Sequence, residues 1–181
     1  TPAVVDLDGD GAIDIVAGTG THDPFGDGPE ARRMYAITAR TGRSLPGWPV
    51  QLDGRAVDGP AVGDLDGDGR YDVSIASEGG YVYAFRGNGS RVWRACAAVD
   101  GRCGTIATHG ATVIADLDDD GRQEVVTALD QELLVYDGAT GAVEASSRFP
   151  ARTFWPAAAP TVVEIDGAAT IVTQTIHQPT P

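Results

Sequence analysis

The chain of 181 residues is 42% hydrophobic, enough to bury a core. It carries 26 acidic residues against 13 basic ones, every one of them Arg, and a formal charge of −13 excludes the basic footprint that nucleic-acid binding requires. No apolar run approaches the roughly 18 to 20 residues of a membrane span, and the chain opens at Thr1 without an initiator Met or signal sequence, so it reads as a mature or excised piece.

Gly (24) and Pro (11) are spread along the whole chain, which favours many short strands over helices. In chain order, Ala3–Leu7, Ile13–Gly18, Met34–Ala39 and Trp48–Leu52 read as four strands, with a long insertion from Thr19 to Arg33 between the second and third. A second set follows at Pro60–Leu65, Asp72–Ser77, Tyr81–Arg86 and Arg91–Ala95, with Asn88-Gly89 as a hairpin turn in preference to a glycosylation sequon. The stretch Arg122–Asp137 has helix-forming composition, but laying it over the second set makes strands of Glu124–Leu129 and Leu133–Asp137. The first two strands of each set are short and apolar, as strands covered on both faces would be.

An acidic nonapeptide sets this period. Asp6-Leu-Asp8-Gly-Asp10-Gly11-Ala12-Ile-Asp14 returns as Asp64-Leu-Asp66-Gly-Asp68-Gly69-Arg70-Tyr-Asp72 and as Asp116-Leu-Asp118-Asp-Asp120-Gly121-Arg122-Gln-Glu124, with a degenerate copy at Val163–Gly167. The starts at 6, 64, 116 and 164 lie 58, 52 and 48 residues apart, the period of a propeller blade. The expected fold is therefore all-β, a β-propeller segment of about three and a half four-stranded blades: 1–55, 56–105, 106–155 and a partial 156–181. Closed propellers have four to eight blades. The segment is thus expected to belong to a larger ring of seven or eight, completed by further blades of a parent chain or by a second chain.

Four carboxylates within nine residues repel one another by roughly 3 kcal/mol per pair at about 5 Å and an effective dielectric near 20. Side chains at the first, third and fifth positions converge on one point, the seventh residue (Ala12, Arg70, Arg122) offers a carbonyl, and the ninth returns a carboxylate. Such an all-oxygen set in a flexible loop selects Ca²⁺, in three sites. An EF-hand is excluded, because Ala17, Ile75 and Thr127 stand at the twelfth position. Only Glu164 and Asp166 remain in the fourth copy, where no metal is expected. Twelve of the 26 acids fall in the three sites, and three divalent ions would bring the formal charge from −13 to −7.

The strand–DxDxDG–strand unit resembles the FG-GAP/VCBS repeat family, the calcium-bearing blades of integrin α-subunit-like propellers and bacterial surface proteins. Gly59-Pro60-Ala61 and Gly110-Ala111-Thr112 echo that family's Gly-Ala-Pro element. The outer halves of the blades, Tyr35–Gly42 with Trp48, Tyr83–Gly89 with Trp93, and Val135–Gly141, are similar to quinoprotein-like propeller blades. That second resemblance implies Trp packing between adjacent blades.

Cys96 and Cys103 are expected to form a disulfide worth about 2–3 kcal/mol, which points to an oxidising compartment. His22, His109 and His177 read as ordinary loop histidines, and Trp155 as packing in the connection between the third and fourth blades. The function expected is a non-enzymatic, calcium-stabilised module of a secreted, cell-surface or periplasmic protein, serving recognition, adhesion or scaffolding. A protein or carbohydrate ligand would use the connections Thr19–Arg33, Cys96–His109 and Arg148–Ala159. The alternative is the propeller portion of an extracellular enzyme, either a quinoprotein-like dehydrogenase or a carbohydrate-active enzyme.

Overall fold

The computed structural model describes residues 1–19, 29–56, 58–98, 103, 111–129, 132–149, 153–156, 159–173 and 175–177. Most of the three connections named above as ligand-binding, with His22 and His109, lie outside them. The ends of the long insertion meet, where the Thr19 amide donates to the Arg33 carbonyl at 3.0 Å, and a short 3-10 helix, Pro29–Arg32, leads out of it.

Three four-stranded antiparallel sheets follow one another along the chain. The first holds β1 (Ala3–Val5), β2 (Asp14–Gly18), β3 (Arg33–Thr38) and β4 (Val50–Gln51). The second holds β5 (Ala61–Gly63), β6 (Asp72–Ser77), β7 (Tyr81–Arg86) and β8 (Arg91–Cys96). The third holds β9 (Thr112–Ala115), β10 (Glu124–Leu129), β11 (Glu132–Tyr136) and β12 (Val143–Arg148), so Arg122–Asp137 is strand, as the repeat requires. The first strands lie side by side, β1 against β5, β5 against β9, and β9 against β14 (Thr161–Ile165). This is the blade arrangement of a propeller, with the first strand of each sheet innermost.

The hydrophobic core sits between the sheets. Side chains alternate along β6 and β7, so Val73, Ile75, Tyr83 and Phe85 pack towards Met34 and Trp48 of the first blade, while Ala76, Val82 and Ala84 pack towards Val125, Leu134 and Tyr136 of the third. Every residue of β6 is buried, because its blade has a neighbour on each face. In β1, by contrast, Val4 is 63% exposed, so the expectation that first strands are covered on both faces fails there.

Two equivalent tryptophans lock the seams. The Trp48 indole N–H donates to the Gly87 carbonyl at 2.8 Å, and that of Trp93 donates to the Gly138 carbonyl at 2.7 Å. Each ring also meets an aromatic of the next blade: Trp48 lies 6.2 Å from Phe85, and Trp93 stacks 5.9 Å from Tyr136. Trp48 stands before β4, whose paired part is shorter than the sequence predicts. The seam is too tight for a side chain at the receiving turn, since a Cβ on Gly138 would lie 1.9 Å from the Gln123 carbonyl oxygen. On the other side of the first seam, the Tyr83 hydroxyl donates to Asp53 Oδ2 at 2.9 Å, and Arg94, which lies 4.2 Å over the Tyr81 ring of its own blade, pairs with the same carboxylate.

The fourth unit departs from the expected outline. Hairpin β14–β15 (Ala168–Val172) supplies its two strands. Phe154-Trp155-Pro156, expected in a connection, forms β13 (Thr153–Pro156), which pairs with β16 (Thr175–His177). His177 is therefore in a strand and not in a loop. That pairing joins residues about twenty positions apart, which short-range pattern cannot reveal. The expected Cys96–Cys103 disulfide is present.

Replacing Trp93 by Ala removes the ring and its hydrogen bond from the second seam and is expected to cost about 3–5 kcal/mol. Gly138→Ala should weaken the same seam with the indole still in place. Urea unfolding of both variants checks this, and wild-type midpoints for both would show that the seam does not hold the blades.

Candidate metal centres

Each acidic loop joins the first strand of a blade to the second, and the register is the same three times. Val5 pairs with Asp14, Gly63 with Asp72 and Ala115 with Glu124, so the loops span 6–13, 64–71 and 116–123 and the ninth-position acid opens each second strand.

Inside the loops, carboxylates replace missing backbone partners. The first-position Asp accepts from the amide of the sixth-position Gly: Gly11 to Asp6 at 2.9 Å, Gly69 to Asp64 at 2.8 Å and Gly121 to Asp116 at 3.0 Å. The ninth-position acid accepts from the second-position Leu amide, Leu7 to Asp14 at 3.0 Å, Leu65 to Asp72 at 3.2 Å and Leu117 to Glu124 at 2.7 Å. Glu124 is one methylene longer than its counterparts and still makes the bond. The fifth-position Asp accepts from the seventh-position amide in every loop, at 2.7–2.9 Å. The fourth position is left-handed throughout. Gly9 and Gly67 take φ of 77° and 74° there, and Asp119 is held at 62°, which favours glycine by roughly 1 kcal/mol.

This scaffold brings carboxylate oxygens within 4.8 Å of one another in three clusters: Asp6, Asp8 and Asp10; Asp64, Asp66 and Asp72; Asp116, Asp118 and Glu124. Asp14, Asp68 and Asp120 stand outside these trios. Arginines hold the latter two: Arg86 reaches Asp68 at 3.5 Å, and Arg122 grips Asp120 at 2.6 Å. Hydrogen bonding to Arg122 keeps the Asp120 carboxyl below the usual range.

The donor set fits a hard cation. Asp66 Oδ1 and Asp116 Oδ1 are buried without a hydrogen-bond partner, an arrangement that costs free energy unless something else satisfies the oxygen. The ninth-position acids are buried as well. Burial, with further contributions from neighbouring Asp carboxylates, raises Asp14 and Glu124 and pushes Asp72 up to about 6. The fourth unit has no such loop: Ile165 pairs with Ala168 across a two-residue turn, Asp166-Gly167, at φ of 53° and 78°.

Residues 64–127, the second loop through the third, match the FG-GAP-like repeat family. The chain carries an FG-GAP-like repeat. Solved structures with the same fold as this repeat-bearing chain include the biofilm matrix protein Bap1 of V. cholerae, 22% identical with a TM-score of 0.66 over 96% of this chain and 28% of that one. BamB from Moraxella catarrhalis is 21% identical, TM-score 0.58, over 90% of this chain and 40% of that one. BBS1N, solved in complex with ARL6DN, is 16% identical, TM-score 0.60, over 96% and 47%. The chain thus spans less than half the length of each of these proteins. No curated protein matches it.

In the absence of metal the raised ninth-position acids give stability a definite pH dependence. The unfolded carboxyl titrates near 3.9, and between there and about 6 the fold holds a proton on Asp72 that the unfolded chain releases. Stability in a chelator should therefore rise as pH falls from 7 to 5, by about 1 kcal/mol from Asp72 alone, with Asp14 and Glu124 acting in the same direction. Urea midpoints at the two pH values measure it; Asp72→Asn should shrink the difference, and a flat profile in wild type would contradict it.

Proposed function

We propose that the chain is a calcium-stabilised β-propeller module of a secreted or cell-surface protein, serving recognition, adhesion or scaffolding. The observation that carries the reading is the repetition of one carboxylate scaffold in three blades, with buried unpartnered oxygens at Asp66 and Asp116. The metal would be held in the first blade by Asp6, Asp8, Asp10 and Asp14 with the Ala12 carbonyl. Asp64, Asp66 and Asp72 with the Arg70 carbonyl, and Asp116, Asp118 and Glu124 with the Arg122 carbonyl, would hold it in the next two, with Asp68 and Asp120 beside them. A bound divalent ion supplies no reaction here; it offsets the repulsion inside each loop and ties the first strand to the second.

The disulfide between Cys96 and Cys103 fits an oxidising location such as the cell surface or periplasm. Among the described residues no helix is long and apolar enough to cross a membrane. A biofilm matrix protein and a propeller solved with a bound protein share the fold, which supports a binding or matrix role without naming a ligand. Trp48 and Trp93 are both committed to seams, which favours packing over a cofactor role for the quinoprotein-like elements. Apolar side chains stand exposed on the outermost units, Val4 on the first and Ile165 and Val172 on the fourth. Further blades, from a longer parent chain or a second chain, would cover them.

A site filled at a hundred times its Kd contributes about 2.7 kcal/mol, and each kcal/mol moves Tm by about 2–4 °C in a chain of this size. Transfer from millimolar Ca²⁺ into EDTA should lower Tm by more than about 10 °C, and metal analysis should find three Ca²⁺ per chain. An unchanged Tm with no retained ion would reject the reading.

A further inference from the structure

The three loops are alike in scaffold but not in what the third strand brings to them. The residue in register with the ninth-position acid, at or just past the end of this strand, differs in every blade. Thr38 pairs with Asp14 in the first blade and Arg86 with Asp72 in the second. In the third, Tyr136 pairs with Val125, so Asp137 stands at the corresponding place. The position therefore holds a neutral residue in one blade, a cation in the next and an anion in the third, where the Asp137 carboxylate accepts from the Thr140 amide in its own turn.

The cation reaches into the cluster. Arg86 Nη2 lies 2.7 Å from Asp66 Oδ2, and Nη1 lies 3.5 Å from Asp68 Oδ2. Asp66 belongs to the trio of converging oxygens, whereas Asp68 does not. The arginine of the third loop acts differently, since Arg122 sits two residues from Asp120 in the same loop and grips an oxygen outside its trio. Arg86 thus holds one oxygen, Oδ2, of a carboxylate whose other oxygen, Oδ1, is buried and unpartnered, and it approaches from another strand.

We propose that Arg86 is a tethered counter-cation of the second acidic loop, which neutralises Asp66 and Asp68 when no ion is bound and opposes calcium binding at Asp66. The proposal rests on the calcium reading above. It makes the second site the weakest of the three and leaves its blade the least dependent on calcium. An ion on Asp66 Oδ1 would share its carboxylate with the guanidinium on Oδ2, so the affinity measured there is reduced by the positive charge already paired with Asp66. The second blade, packed between two others, then keeps its loop organised at calcium concentrations too low to fill the site.

The test is calorimetric titration of Ca²⁺ into the chelator-treated full chain, with thermal unfolding in EDTA and in saturating Ca²⁺. Wild type should show two tighter sites and one weaker. Arg86→Gln should tighten the weakest by roughly tenfold or more and leave the other two within about twofold, since a unit charge a few Å away is removed. Arg86→Lys keeps the charge and should remain near wild type. The Gln variant should lose Tm in EDTA and recover it in Ca²⁺. An ion pair that only braces the fold would lower Tm equally in both conditions and leave every calcium affinity unchanged, and that result overturns the proposal. Uptake of three ions with no effect of the Gln variant overturns the role of Arg86 alone. No uptake by either protein removes the calcium reading and this proposal together.

Discussion

A carboxylate that accepts a backbone amide hydrogen bond across a tight loop is the interaction on which each blade turns. The bond from the sixth-position Gly to the first Asp closes the loop on itself, and the bond from the second-position Leu to the ninth acid fastens the loop to the second strand. Together they fix where the first strand ends and the second begins, hence the register of the innermost hairpin. They also concentrate negative charge, because a loop built by carboxylates carries one charge for every such fastening. Local order and electrostatic cost therefore arise from the same atoms.

The register has consequences away from the loop. With the ninth acid opening the second strand, the apolar residues that follow it fall on alternate faces. Val73 and Ile75 meet the preceding blade, and Ala76 meets the following one. The second-position Leu side chain is buried in the seam: Leu7 joins the first core and Leu65 the second. Its carbonyl presses on the next blade, where a Cβ on Gly87 would lie 2.5 Å from the Leu7 oxygen. The same turn receives the Trp48 indole. Acidic loop, seam glycine and seam tryptophan thus form one connected unit, repeated from the second blade to the third through Leu65, Gly138 and Trp93. The repeat stops there: Ala145 pairs with Val135 at the place where Trp93 pairs with Ala84.

Much of this was legible in the sequence because its signals are local and repeated. The alternation of acids, glycines at fixed offsets and a near-50-residue period placed the sheets and the carboxylates, and the Trp and Thr-Gly or Asn-Gly pairs placed the outer strands. The illegible parts depend on pairing between distant residues. Arg86 lies about twenty positions from Asp66, and only the register of β6 with β7 brings it there. The β13–β16 sheet joins segments on either side of a hairpin, and no periodicity links them. The exposure of Val4 could not be read from its apolar neighbours either, because burial of a first strand depends on the blades beside it and not on its own composition.

The fourth unit serves as an internal comparison for the other three. Its first and second strands are joined by Asp166-Gly167 alone, with both residues at positive φ, the two-residue turn that matches the twist of an antiparallel pair. A propeller hairpin at this position therefore needs neither eight loop residues nor several mutually repelling carboxylates. The first three blades keep both, along with a left-handed fourth position that the third loop meets with Asp119 instead of glycine. A simpler turn was structurally sufficient, so the extra length and charge argue for a requirement beyond strand connection. A site for a multiply coordinated cation is such a requirement, and it would explain why the acids occur at the positions that converge and why only Glu164 and Asp166 stand where the connection is a two-residue turn.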